Sequence, residues 1–182
     1  MKILFIQGAG TNAYIEDKKL ADNLQELLGP SYTVIYPKMP HEEAPDFEPW
    51  KTAIQEELNA VKNEEIILVG HSLGGSVLVK FLSENKIDTT LSGVFIISAP
   101  FWGGDTDWQA EVFTPSADFP TMLPTVPFYF YQAKDDEIVP FAHLEMYKNK
   151  LPNSTVREIK TGGHQLDNDL SLIAADIEEL NK

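Results

Sequence analysis

Residues 66–75 read Ile66-Ile67-Leu68-Val69-Gly70-His71-Ser72-Leu73-Gly74-Gly75, and this stretch decides the fold. Its four leading apolar residues predict a short strand that is buried on both faces. From residue 76 onward, apolar side chains recur with the spacing of a helix. Ser72 therefore lies in a tight turn between strand and helix, with glycines that let the two approach closely. This arrangement is typical of a nucleophile elbow. The alternative is a glycine-rich turn with a capping serine.

A second glycine-rich turn, Gln7-Gly8-Ala9-Gly10, follows the apolar run at the start of the chain. One interpretation is a dinucleotide-binding turn, with Ala13 in the third small position. A dinucleotide-binding site needs an acidic residue at the end of the next strand. The next predicted strand ends in Pro37-Lys38, where there is no carboxylate. The other interpretation is a loop that donates a backbone N–H to a developing oxyanion, together with the Leu73 amide at a helix N-terminus. We favour the second interpretation, because a nucleophilic serine at the elbow needs an N–H donor for the oxyanion that forms when it attacks.

Composition limits the class of protein. The 182 residues fit a single domain with a substantial core, and 43% of them are hydrophobic. The chain has no cysteine, which excludes a disulfide scaffold, a cysteine nucleophile and a thiolate metal site. A formal charge of −14 disfavours nucleic acid and anionic membranes as partners. No apolar run approaches the roughly 18 residues of a membrane helix, and the N-terminus lacks signal-peptide features. We expect a cytoplasmic protein.

Strand and helix patterns alternate along the whole chain, which predicts a parallel sheet covered by helices on both faces. In such sheets the functional site lies beyond the carboxyl ends of the strands. Three groups are expected there, namely the turn of residues 7–10, Ser72, and the turn after Ala133.

A serine nucleophile needs a base and a carboxylate. Of the four histidines, His164 follows the last predicted strand on a Gly-Gly turn, at the end of the sheet that carries the site. We therefore predict that His164 is the base. Three adjacent acids, Asp135, Asp136 and Glu137, follow the fifth predicted strand. The order serine, acid, histidine is that of α/β-hydrolases.

A long segment without periodicity, residues 99–125, leaves the fourth strand at the same end of the sheet. Segments this long are usually functional. This one is rich in aromatic side chains, and those predicted to line a substrate pocket are Trp102, Trp108, Phe113 and Phe119. The alternative is that they only cover the core beneath a loop.

These motifs together resemble the α/β-hydrolase superfamily, and within it the compact serine hydrolases of the retinoblastoma-binding-protein-nine and bacterial YdeN type. The resemblance spans essentially the whole chain. It implies a compact α/β-hydrolase fold, a three-layer sandwich with a six-stranded parallel sheet in the order 2-1-3-4-5-6. It also implies one domain over residues 1–182 without a separate cap domain.

The same resemblance implies Ser72 as nucleophile, His164 as base and Asp136 as the acid. The family pattern is Asp-x-x-hydrophobic-Pro, and this spacing before Val139-Pro140 selects Asp136 over Asp135. Leu73 and Ala9 are the implied oxyanion donors, although Gln7 stands where many relatives carry His. We expect a serine hydrolase that cleaves small carboxylic esters or related acyl compounds and uses no cofactor or metal. The alternatives are a thioesterase or amidase, a protein-binding module on a hydrolase scaffold, and a nucleotide-binding enzyme.

Overall fold

The computed structural model describes residues 1–180 and contains one six-stranded sheet. Every neighbouring pair of strands is parallel, in the order β2-β1-β3-β4-β5-β6. This is the order that the resemblance implied. The strands are β1 (Lys2–Ile6), β2 (Thr33–Ile35), β3 (Glu65–His71), β4 (Thr90–Ile97), β5 (Phe128–Ala133) and β6 (Thr155–Ile159).

Helices cover both faces of the sheet, as the alternating pattern predicts. The helices are α1 (Ala13–Leu28), α2 (Phe47–Ala60), α3 (Leu73–Glu84), the short α4 (Phe119–Met122), α5 (Ala142–Lys150) and α6 (Ser171–Leu180). Two 3-10 helices span Gly29–Ser31 and Leu166–Asn168. None of the helices in residues 1–180 combines the length and the hydropathy that crossing a membrane requires.

The alternation of side chains along the strands divides the core in two. Ile3 and Phe5 of β1 point to one face, where they pack with buried residues of α1 and α6. Leu4 and Ile6 point to the other face, where they pack with α2, α3 and α5. Both faces of the central strands are therefore buried, which explains their continuous apolar sequence.

The turn between β3 and α3 is as tight as the sequence predicts. A Cβ atom on Gly70 would lie 2.7 Å from the Cα of Gly75, so only glycine permits this approach of strand and helix. Ser72 between them has φ 51° and ψ −125°, a backbone conformation that is strained for a residue with a side chain. Its amide donates to the carbonyl of Ile97 on β4 at 2.8 Å, which fixes the turn to the sheet.

Candidate active site

The carboxyl ends of the strands bring the predicted site residues to one edge of the sheet. Ser72 follows β3, Asp136 follows β5, and His164 follows β6. The side chain of His164 is 10% exposed, and that of Asp136 is fully covered. These positions agree with the rule that places sites at this end of parallel sheets.

His164 and Asp136 form a direct pair. The Nδ1 atom of the His164 ring lies 3.0 Å from Oδ1 and 3.1 Å from Oδ2 of Asp136. Because a carboxylate only accepts hydrogen bonds, Nδ1 carries a proton, and the neutral form of the ring therefore has its lone pair on Nε2. A histidine in this tautomer can accept a proton from a serine hydroxyl.

The Asp136 carboxylate is held in place from a second side. Its Oδ1 accepts hydrogen bonds from the amides of Ile138 and Val139, both at 2.9 Å. Burial alone would raise the pKa of Asp136, but the hydrogen bond and charge of His164 and these two amides outweigh it. The pKa of Asp136 therefore lies below its ordinary value, and the carboxylate is ionised at neutral pH.

Asp135, the neighbouring acid, has a different environment. It is exposed, and its carboxylate accepts the amides of Gly162 at 3.4 Å and Gly163 at 3.0 Å. Gly163 has φ 60°, the left-handed conformation that glycine adopts without strain. The Glu137 carboxylate accepts the His164 amide at 3.1 Å. Asp135 and Glu137 thus hold the turn that carries His164, whereas Asp136 contacts its ring.

The turn after β1 lies directly beside the elbow. A Cβ atom on Gly8 would lie 2.9 Å from the Cβ of Ser72. The Gly10 amide donates to the carbonyl of Glu42 at 2.7 Å, so this N–H is already occupied. The Ala9 amide has no acceptor within residues 1–180, and Leu73 is the first residue of α3, where an amide has no acceptor in its own helix. These two amides are free to bind an oxyanion.

Gln7 and Glu42 hold this turn in position. The Gln7 side chain is fully buried, donates to Oε2 of Glu42 at 2.8 Å and accepts the Met39 amide at 3.1 Å. The same Oε2 atom of Glu42 accepts the Tyr14 amide at 2.6 Å. Gln7 therefore connects the turn after β1 to the loop after β2. Sequence reasoning did not identify Glu42, which stands in an acidic loop that looks solvated.

The four aromatic side chains predicted for the pocket fall into two groups. Phe113 and Phe119 are 7% and 2% exposed and belong to the hydrophobic core. Trp102 and Trp108 are half-buried and contact each other, with ring centroids 5.3 Å apart. Trp102 and Phe119 line a cavity of about 370 Å³ whose lining includes none of Ser72, Asp136 and His164.

His143 on α5 anchors the aromatic segment. Its ring is fully buried, and its Nδ1 atom accepts the Phe101 amide at 2.8 Å. Its Nε2 atom lies 3.2 Å from Oδ2 of Asp105, to which it donates. Burial lowers the pKa of His143 by more than the Asp105 charge raises it, so the net pKa lies below the ordinary value. The ring is neutral, because Nδ1 must accept.

Acidification should therefore destabilise the protein through His143. The unfolded chain takes up a proton near the ordinary pKa of 6.5, but the folded chain resists it until its lower pKa is reached. The contribution of His143 to the free energy of unfolding is fully present above pH 6.5. It decreases as the pH drops below 6.5, by at most about 1.4 kcal/mol per pH unit for one proton. We expect the unfolding temperature of His143→Gln to fall less over this range than that of wild type. The exposed His41 provides the control, since His41→Asn should keep the wild-type pH slope. Equal slopes for all three proteins would contradict the assignment.

Comparison with known proteins identifies the family of the chain. A family model described as serine hydrolase matches residues 24–170. The chain belongs to this serine hydrolase family. A comparison with the curated proteins found no match. The family assignment and the esterase neighbours described next identify the protein as a hydrolase enzyme.

Solved structures of α/β-hydrolases share the fold of this serine hydrolase. The ydeN gene product of B. subtilis is 20% identical with a TM-score of 0.76, over 99% of this chain and 98% of that chain. An esterase from Exiguobacterium antarcticum is 16% identical with a TM-score of 0.69, over 100% and 92% of the two chains. Est1E from Butyrivibrio proteoclasticus is 16% identical with a TM-score of 0.70, over 99% and 86%. The α/β-hydrolase fold expected from the sequence is confirmed.

Proposed function

We propose that this serine hydrolase cleaves small, uncharged carboxylic esters through an acyl-enzyme on Ser72. The observation that carries the proposal is the His164–Asp136 pair, because it leaves Nε2 of a buried histidine unprotonated at the edge of the sheet where the elbow lies. The elbow conformation of Ser72 and the free amides of Ala9 and Leu73 support it.

The chemistry follows from these positions. His164 takes the proton of the Ser72 hydroxyl as the oxygen attacks the ester carbonyl. The Ala9 and Leu73 amides stabilise the negative charge of the tetrahedral intermediate, and Asp136 stabilises the imidazolium of His164. His164 then protonates the departing alcohol. A water molecule, deprotonated by His164, releases the acyl group and restores the serine. We predict that this reaction needs no cofactor or metal. Within residues 1–180, no group of three or more His, Asp and Glu side chains could hold a metal ion.

Two features favour esters with small uncharged acyl groups. One structural neighbour bears the description esterase, and another was solved with ferulic acid bound. The formal charge of −14 disfavours anionic substrates. Thioesters and amides are the competing substrates, because the same residues can attack their carbonyl groups. We further propose a cytoplasmic location.

A fluorophosphonate probe tests the proposal directly. We expect the wild-type protein to be labelled on Ser72, as located by peptide mass spectrometry, and to hydrolyse short esters faster than matched thioesters and amides. A folded protein that is not labelled would instead be a binding module on a hydrolase scaffold. Preferential cleavage of thioesters or amides would keep the mechanism and change the substrate class.

The tryptophans of the aromatic segment provide a test of the acyl pocket. We expect Trp102→Ala or Trp108→Ala to shift the preference of kcat/KM for acyl-chain length, because these two rings are half-buried at the end of the sheet that carries Ser72. Phe95→Ala, which removes a side chain buried on the opposite face of the sheet, is the control and should lower stability by about 3–5 kcal/mol without that shift. If both tryptophan variants keep the wild-type profile, the segment only covers the core.

A further inference from the structure

A second histidine–aspartate pair lies behind the proposed site. His71, the last residue of β3, and Asp17, in the second turn of α1, are each only 1% exposed. The Nδ1 atom of His71 lies 2.8 Å from Oδ2 of Asp17. Neither side chain has a role in the chemistry described above.

The contacts of the His71 ring define its protonation state. Its Nε2 atom lies 3.0 Å from the backbone carbonyl oxygen of His164. A carbonyl oxygen and a carboxylate both accept hydrogen bonds and donate none. A neutral imidazole has a single N–H and would leave one of these two buried contacts without a proton. With Asp17 ionised, only an imidazolium, with both nitrogens protonated, satisfies both.

Charge compensation makes a buried imidazolium possible here. Burial lowers the pKa of His71, but the charge and hydrogen bond of Asp17 and the His164 carbonyl raise it above the ordinary value. Burial raises the pKa of Asp17, but the charge of His71 and hydrogen bonds from His71, the Gly8 amide and Gln165 lower it below the ordinary value.

The pair contacts three of the four segments that carry the proposed chemistry. Besides His71, the Asp17 carboxylate accepts the Gly8 amide at 2.6 Å and the Gln165 side chain at 2.9 Å. Gly8 precedes Ala9, His71 precedes Ser72, and Gln165 follows His164. Each contact therefore lies one residue from an oxyanion donor, the nucleophile or the base.

We propose that His71 is an imidazolium at neutral pH which, paired with Asp17, positions the oxyanion turn and the His164 loop around Ser72. The proposal rests on the proposed roles of Ser72, His164 and Ala9. His71 and Asp17 are positioning residues and touch no substrate. The other titratable groups around the pair are Tyr36, Asp136 and His164. The ring centroid of His164 lies 4.8 Å from that of His71.

Nitrogen-15 spectra of the histidine rings test the charge of His71 without any assay of activity. We expect both ring nitrogens of His71 to be protonated at neutral pH, where an ordinary histidine has lost most of its charge. His143 is the internal control, since it is also buried beside an aspartate but accepts a hydrogen bond through Nδ1 and should show one bare nitrogen at neutral pH. The variants His41→Asn, His143→Gln and His164→Gln each remove one set of signals, and the set that remains in all three is that of His71. A bare nitrogen on His71 at neutral pH overturns the proposal.

Asp17→Asn tests the positioning role. We expect kcat for ester hydrolysis to fall about 10²-fold with little change in KM, because misplaced catalytic groups slow the chemical step. The variant should also show a bare nitrogen on His71 at neutral pH. Asp176→Asn is the matched control, because Asp176 is a buried carboxylate on the same face of the sheet, paired with Arg157 at 2.7 Å. It should lower stability and keep the wild-type kcat.

The outcomes separate the possible failures. A wild-type kcat in Asp17→Asn, or equal losses of kcat in both variants, would mean that the pair only stabilises the fold. If Asp17→Asn does not fold, the protonation of His71 in the wild-type protein still decides whether the imidazolium exists. If the proposed function is wrong, the wild-type protein itself will not hydrolyse esters, whereas the ring protonation remains measurable.

Discussion

Ser72→Ala should lower ester hydrolysis by about 10⁴-fold or more while the protein keeps its fold. The substitution removes the oxygen that attacks the carbonyl, and no other group among residues 1–180 can take its place at the turn. The cost in stability should be small, because the Ser72 hydroxyl makes no hydrogen bond within the described residues and the backbone conformation with φ 51° is equally strained for alanine. Initial rates with a short chromogenic ester, together with a far-UV spectrum and a melting curve, measure both effects.

Ser98 provides a matched control for this substitution. It follows β4, the neighbour of β3, has a φ of 49°, and its buried hydroxyl has no partner among the described residues. Ser98→Ala should therefore keep the wild-type rate and should not lower stability. Folded Ser72→Ala protein with a rate close to wild type would refute the assignment of the nucleophile. Equal losses in both variants would show that the rate responds to the shape of this edge and not to one hydroxyl.

The strands and their arrangement follow largely from the sequence. Each of the six predicted strands is present. The four central strands carry the continuous apolar runs of buried parallel strands, whereas the edge strands β2 and β6 are only partly buried. The start of α3 agrees with the sequence prediction, which placed the Leu73 amide at a helix N-terminus, because the helix begins at Leu73. Glycines have low helix propensity, but Gly74 and Gly75 are needed in the first turn so that α3 can pack closely on the sheet.

The supporting contacts of the site could not be predicted in the same way. Asp17 stands between Glu16 and Lys18 on a helix whose charges look solvated, and its partner His71 lies 54 residues away. Periodicity indicates which face of an element is buried, but it does not indicate which polar groups meet inside. A polar residue that the helix pattern places on the buried stripe is the one available signal, and Asp17 lies three residues before Leu20 and four before Ala21 on that stripe.

The aromatic segment shows the same limit. Its length and composition indicated that it covers something apolar, but not whether that is a core or a pocket. Two of its four rings, those of Phe113 and Phe119, are buried in the core. The anchoring His143 lies on α5, 38 residues beyond Asp105 and 42 beyond Phe101, its partners in the segment, so no local pattern connects them.

Asp136→Asn should lower the rate by about 10³- to 10⁴-fold, as the corresponding change does in serine protease triads. An asparagine keeps the size of the side chain, and its oxygen can still accept the amides of Ile138 and Val139. Its NH₂ group would then face Nδ1 of His164 and donate to it, which forces the proton of the ring onto Nε2. The histidine could no longer take the Ser72 proton. The expected signature is a loss of kcat with a nearly unchanged KM for a short ester.

Asp135→Asn is the control that makes this test specific. The two acids are adjacent in sequence, but Asp135 is exposed and binds only the Gly162 and Gly163 amides, which an asparagine oxygen can also accept. We expect a rate within a few-fold of wild type, because the contact between Asp136 and His164 is unchanged. The stability should also change little, since surface substitutions of this kind alter it by only about 0.5 kcal/mol. The opposite order of effects would mean that Asp135 orients His164 during catalysis. That result would require the turn after β5 to rearrange when substrate binds, because Asp136 is the acid that contacts the ring in this structure.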